Sequence, residues 1–168
     1  MSTSQTATRS TEQWKRSNML VVDTNVLVYA ANKDSSFHHP CRRWLREVCK
    51  DPSPTFLTWS VCYEFLRVAT HPRVFESPWT QSEAHRYLAE LLASPGFDLL
   101  IATPRHTTGL AQTIAETPAL RGNLMHDLHT AVLMREHGIS KICTRDSDFR
   151  HFPFLTIIDP LQQPRGSR

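Results

Sequence analysis

The 168-residue sequence lacks any run of ~20 uninterrupted apolar residues, so no segment is long enough for a membrane-spanning helix. Its most apolar stretch near the start, Met19 to Ala31, is broken by Asp23 and Asn25, which also argues against a secretory signal peptide. Among the four cysteines, Cys41, Cys49, Cys62 and Cys143, there is no Cys-x-x-Cys pair. Without a secretory segment they read as reduced thiols of a cytoplasmic protein, small core or surface residues rather than a disulfide framework. A strong charge imbalance is missing too: 19 Lys and Arg against 16 Asp and Glu give +3, which by itself does not argue for a nucleic-acid partner. There is no internal repeat, and the prolines fall in short turns such as Asp51-Pro-Ser-Pro54 rather than in a linker between domains.

What is present suits one soluble domain: 40% hydrophobic and 21% charged residues in a length that holds a single core. Residues 1–17, rich in Ser, Thr and Gln, have few large apolar side chains to offset the cost of ordering, and are expected to form a flexible leader. Residues 162–168 read as a flexible tail, leaving 18–161 as the folded domain.

Within that domain the patterns alternate. Met19-Leu-Val-Val22 reads as a buried strand, followed by helix-length apolar character over Asn25–Ala31 and a helix from Phe37 to Lys50 whose Trp44, Leu45 and Val48 share a face. Thr55–Thr58 predicts a second strand and Ser60–His71 a helix capped by Ser60. Further helices are expected over Gln81–Ala93, Arg105–Glu116 and Met125–His137, the last stopped by Gly138. Strands are expected over Phe97–Ala102, Lys141–Thr144 and Leu155–Ile158. Alternating strands and helices of this kind predict an α/β sandwich around a mainly parallel sheet.

In such sheets functional groups gather beyond the carboxyl ends of the strands. Asp23 follows the first strand, and Asp146 and Asp148 lie in a turn after the Lys141–Thr144 strand. Glu64 and Asp127 come from helices that are otherwise largely apolar. Each has an ordinary reading: Asp23 as a helix cap, Glu64 as a solvated helix residue, Asp127 as a favourable first-turn charge, Asp146-Ser-Asp148 as a polar turn. Jointly they would repel one another unless a cation compensated them, and oxygen-only donors suit hard divalent ions. A pair of such ions about 4 Å apart serves phosphodiester hydrolysis in nucleases.

The segments Val21-Val-Asp-Thr-Asn-Val-Leu-Val-Tyr29, Tyr63-Glu-Phe-Leu-Arg67, Met125-His-Asp-Leu-His-Thr-Ala131 and Thr144-Arg-Asp-Ser-Asp-Phe149 resemble, in this order, a PIN domain. The likeness is specifically to the VapC toxins of bacterial VapBC toxin–antitoxin pairs, and it spans about residues 19–158. The resemblance implies a PIN-like α/β/α sandwich and a Mg²⁺- or Mn²⁺-dependent endoribonuclease whose products carry 5′-phosphate and 3′-hydroxyl ends. It also implies a homodimer, and a cognate antitoxin whose C-terminal segment lies across the active-site groove. Asp23, Glu64, Asp127 and Asp146 match the acidic metal-site residues, and Asp148 a further acidic position. Asn25 and Thr144 match polar residues that orient the carboxylates. The leader departs from the family's usual form, which begins almost at the first strand.

Arg67, Arg121 and Arg145 flank the acidic motifs and are candidates for holding RNA phosphates, with solvated surface charge as the plainer reading. Arg42, Arg43, Arg46 and Lys50 crowd one helix with Trp44, either an RNA contact or an exposed helix face. His126 and His129 invite a zinc reading, but no third nitrogen or sulfur ligand has suitable spacing. A haloacid-dehalogenase-type phosphatase needs a second Asp where Asn25 stands, and the chain is short for a glycosyltransferase. A stand-alone RNA-processing nuclease and a non-catalytic RNA- or protein-binding module of the same fold are the remaining alternatives. With the five carboxylates set aside, 11 acidic residues face 19 basic ones, a net +8 that would draw a polyanion toward an acidic pocket.

Overall fold

The β-branched run at the front of the domain forms β1 (Leu20–Val22), the middle strand of a five-stranded sheet in a computed structural model that describes residues 18–162. The leader expected over residues 1–17 and all but the first residue of the tail expected over 162–168 fall outside these residues. β2 (Thr55–Thr58), β3 (Phe97–Leu100), β4 (Lys141–Cys143) and β5 (Thr156–Ile158) complete the sheet in the order β3-β2-β1-β4-β5. Every pairing is parallel, with Val21 opposite Phe56 on one side and Ile142 on the other. The sheet expected to be mainly parallel is therefore wholly so. β1, β2 and β3 run outward in one direction and β4 and β5 in the other, so the chain reverses its order between β1 and β4, where open α/β sheets form their crevice.

Among the described residues six α-helices cover the sheet: α1 (Thr24–Ala31), α2 (His38–Lys50), α3 (Trp59–Ala69), α4 (Gln81–Leu92), α5 (His106–Glu116) and α6 (Leu124–His137). One buried cluster joins Val22, Val26, Leu27, Trp44, Leu57 and Phe65 with α1 to α4. A second joins Val21, Leu133, Met134, Ile142 and Phe149 with α6 on the other side. Adjacent β1 residues thus enter different cores, as the period of two in a strand demands, and the layers are α/β/α. α2 buries Cys41, Trp44 and Leu45 and leaves Arg42, Arg43, Arg46 and Lys50 exposed. The basic run is an exposed helix face.

β3 ends at Leu100 rather than Ala102 and α3 at Ala69 rather than His71, and two other boundaries differ from expectation for local chemical reasons. The cap of α3 is Thr58, whose hydroxyl accepts from the Val61 amide at 3.2 Å, and Ser60 instead bonds the Thr58 hydroxyl at 2.8 Å. The turn after β4 is a 3-10 helix, Ser147–His151, because Asp146 caps it by accepting from the Asp148 amide at 2.9 Å. α6 ends as expected at Gly138, whose φ of 68° lets the Ile139 amide return to the Met134 carbonyl at 2.8 Å. All four cysteines are free, and burial pushes the Cys41 and Cys62 thiols up to about 11, which keeps them unreactive. No described helix is long and apolar enough to cross a membrane.

Gly96 sits where the loop before β2 meets the turn into β3. Its φ is 82°, its carbonyl accepts from the Thr55 amide at 2.8 Å, and a Cβ there would lie 2.6 Å from the Ser53 carbonyl oxygen. Gly96→Ala is expected to cost more than about 1 kcal/mol, because it meets both the φ penalty and a backbone clash. Urea unfolding checks this through the midpoint.

Candidate active site

Asp23 stands at the exit of β1 in extended conformation (φ −84°, ψ 157°) and caps α1, its Oδ1 accepting from the Thr24 amide at 2.7 Å. Its other oxygen accepts from the Asn25 side-chain amide at 2.7 Å and the Thr144 hydroxyl at 2.6 Å. The cap reading and the site reading of Asp23 are therefore both satisfied, one by each oxygen.

Thr144 follows β4 and is fully buried. Besides donating to Asp23, its hydroxyl accepts from the Asn25 side-chain amide at 2.9 Å and the Asp146 backbone amide at 2.9 Å. One donor and two lone pairs are all used. Asn25 closes the circuit by accepting from the Arg145 amide at 3.2 Å, so the loops after β1 and β4 are laced together directly behind the carboxylates.

Glu64 lies on the exposed side of α3, accepting from the Thr24 hydroxyl at 3.3 Å and pairing with Arg67 at 3.4 Å. Asp127 occupies the first turn of α6 and is half-buried. Burial pushes the Asp127 carboxyl up to about 7, and the like charges of Asp23, Asp146, Asp148 and Glu64 add to that push. Burial also carries Asp23 up to about 6; the bonds from Thr144 and Thr24 oppose it, while Asp146 and Glu64 raise it further. The five carboxylates expected from two strand ends and two helices thus share one field.

Their oxygen-only chemistry fits a hard divalent cation, and the like charges that add to the burial-driven shifts of Asp23 and Asp127 are what such an ion would offset. Among the described residues, no three His, Cys, Asp or Glu side chains stand ready as a closed shell around one ion.

The three arginines separate. Arg67 is exposed beside Glu64, and Arg121 is exposed in the loop before α6. Arg145 is directed elsewhere: its guanidinium lies 4.0 Å over the Phe37 ring and 3.4 Å from Asp159. His126 is exposed, while His129 makes a 3.2 Å bond to Ser60 and belongs to no described three-ligand group. Two partners escaped sequence reasoning. Thr24 orients Glu64 across 40 residues, with only its place inside Asp23-Thr-Asn25 as a signal, and the Arg145–Phe37 stack has no local signal at all.

Residues 20–155 match the PIN domain family. The chain belongs to that family. Among curated relatives, the ribonuclease VapC37 of Mycobacterium tuberculosis strain H37Rv is 36% identical over 134 residues, covering 80% of this chain and 92% of the relative. Ribonuclease VapC48 of the same strain is 31% identical over 138 residues, covering 82% and 94%. Among solved structures, VapBC2 from Rickettsia felis, bound to a DNA fragment from their promoter, superposes with a TM-score of 0.60 at 17% identity, covering 83% of this chain and 97% of that one. This PIN domain therefore shares its fold with a chain of the VapBC2 structure and about a third of its aligned residues with two curated ribonucleases.

The shifted carboxyls fix the sign of a pH effect. An Asp titrates near 3.9 when unfolded, so between about pH 4 and pH 7 the folded, ion-free protein binds more protons than the unfolded one, and stability falls as pH rises through that window. In excess EDTA the melting temperature is expected to drop between pH 5 and pH 8. Asp127→Asn should raise the pH 8 value by a few degrees and flatten the dependence. Thermal melts across pH decide it, a flat wild-type profile being the contrary result.

Proposed function

We propose that this PIN domain is a Mg²⁺- or Mn²⁺-dependent endoribonuclease, the toxin of a type II toxin–antitoxin pair, acting in the cytoplasm. The observation that carries the reading is the convergence of five carboxylates in which burial, with like charge adding to it, raises Asp23 and Asp127, in a family whose relatives bear the name ribonuclease. Asp23, Glu64, Asp127, Asp146 and Asp148 would hold the ion. Bound there, a divalent ion supplies activation of water and stabilisation of the leaving oxygen.

The chain's own residues supply orientation. Thr144 and Asn25 hold one Asp23 oxygen, Thr24 holds the other through its amide, and the Thr24 hydroxyl steadies Glu64. The reaction adds water across a phosphodiester: the P–O3′ bond breaks, leaving a 5′-phosphate and a 3′-hydroxyl. Arg67 and Arg121 remain exposed for the strand's phosphates, whereas Arg145 braces Phe37 and Asp159. Trp59 and Tyr63, with ring centroids 6.2 Å apart, are 51% and 69% exposed at the start of the helix that carries Glu64. Such rings suit stacking with unpaired bases, so single-stranded or loop RNA is the substrate class. The superposition on a VapBC complex supports a cognate antitoxin as partner, and the domain is proposed to work as a homodimer.

Purified protein freed of any antitoxin is expected to cut total RNA when Mg²⁺ or Mn²⁺ is added. Excess EDTA should abolish cleavage, and a folded Asp23→Asn variant should be slower by about 100-fold or more. Undiminished cutting under either condition contradicts the mechanism.

A further inference from the structure

Glu136, on α6, is the one acidic residue outside the crevice whose side chain is almost wholly enclosed among the described residues that form ion pairs, at 1% exposure. One of its oxygens ties down the loop after β3, accepting from the Thr103 amide at 3.1 Å and the Thr103 hydroxyl at 2.6 Å. Arg105 adds a bond to the Glu136 backbone carbonyl at 2.8 Å. His137 adds a further tie to the same loop, its Nε2 meeting the Ile101 carbonyl at 2.9 Å. The second carboxylate oxygen is spent differently: it meets Nδ1 of His106 at 2.6 Å, and that imidazole is 27% exposed.

Burial would push the Glu136 carboxyl up, but its bonds from Thr103 and His106 outweigh this and bring it below its ordinary value. An ionised carboxylate only accepts, so Nδ1 of His106 must donate and the ring is fixed in orientation. Among the described residues, Nε2 has no hydrogen-bond partner.

The ring's position gives that free atom a use. His106 opens α5 just beyond β3, on the same carboxyl edge of the sheet as Asp23, Thr58 and Thr144. Its ring packs edge-on against His129, with centroids 5.7 Å apart. His129 follows Asp127 by two residues and bonds Ser60, one helical turn before Glu64. The imidazoles therefore continue the carboxylate crevice along its β2–β3 side.

We propose that His106, held by Glu136, is a second contact for the RNA backbone, its Nε2 taking an oxygen of a phosphate beside the one that is cut. The inference rests on the ribonuclease reading. His106 touches the strand, Glu136 is its positioning residue, and an imidazolium formed there is balanced by an anion on each side. A carboxylate crevice that must admit a polyanion needs such a cationic grip outside the cluster.

The test uses the full chain with a labelled single-stranded RNA. Cleavage kinetics with Mn²⁺ and equilibrium binding in EDTA across a salt series at pH 6.5 are compared for wild type, His106→Ala, His106→Arg and Glu136→Gln. His106→Ala should raise KM about 3- to 10-fold with kcat nearly unchanged, and should reduce the salt slope of binding by about 0.7, the share of one phosphate in a single strand. His106→Arg should recover both, and Glu136→Gln should shift KM in the same direction as His106→Ala. Neither the slope nor the arginine rescue would follow from a merely structural role. If wild type cuts RNA while His106→Ala keeps its KM and slope, or loses only melting temperature, the proposal is overturned and the ribonuclease reading stands. If wild type neither binds nor cuts RNA, both fall.

Discussion

The hydroxyl of Thr144 is the joint on which the site is built. It donates to Asp23 and accepts from Asn25 and from the backbone of Asp146, so the ends of β1 and β4 are held at one distance by a group with no unused valence. A hydroxyl so placed does two opposed things. It steadies the Asp23 carboxylate by hydrogen bonding, and it draws the Asp146 loop toward a charge of like sign. Burial and repulsion prevail over the hydrogen bonds, leaving Asp23 near 6 rather than below 4. The two apolar clusters on either face of the sheet hold the scaffold against that repulsion. In this the crevice follows a general pattern, in which a functional site departs from local stability rules and the surrounding core compensates.

The architecture was legible because buried parallel strands read as short apolar runs and each was followed by a helical pattern. Val21 and Val22 point into different cores, so both must be apolar, and Asp23, itself buried, marks the exit of β1. The acidic set was legible for the same reason: strand exits in a parallel sheet share one edge, and the reversal between β1 and β4 opens it. Details that depend on competition between neighbouring hydroxyls were not. Thr58 and Ser60 both suit a helix cap, and only the exit of β2 decides that Thr58 takes the role while Ser60 is left for His129. Long-range pairs were invisible. Glu136 within Arg135-Glu-His137 resembles a solvated charge run, yet the packing of α5 encloses it, and Arg145 beside the acidic motif turns to Phe37, more than 100 residues away.

Charge is distributed to match this division. A modest excess of +3 conceals an acidic pocket of five carboxylates in a surround that is otherwise basic. The arginines next to the acidic motifs do not serve as one group, since one braces the fold and two stay at the surface. The exposed aromatic rings of α3 and the half-open imidazole of α5 lie on helices that frame the crevice, along one edge of the sheet.

Burial, with like charge adding to it, leaves the crevice carboxylates holding protons that a divalent ion would have to displace. Calorimetric titration of the ion-free protein with Mn²⁺, in buffers of differing ionisation enthalpy, measures the protons displaced. With Asp23 near 6 and Asp127 near 7, binding at pH 6.5 should release about one proton per chain, and almost none at pH 8.5. Absence of Mn²⁺ binding, or binding with no proton release at either pH, would contradict the account.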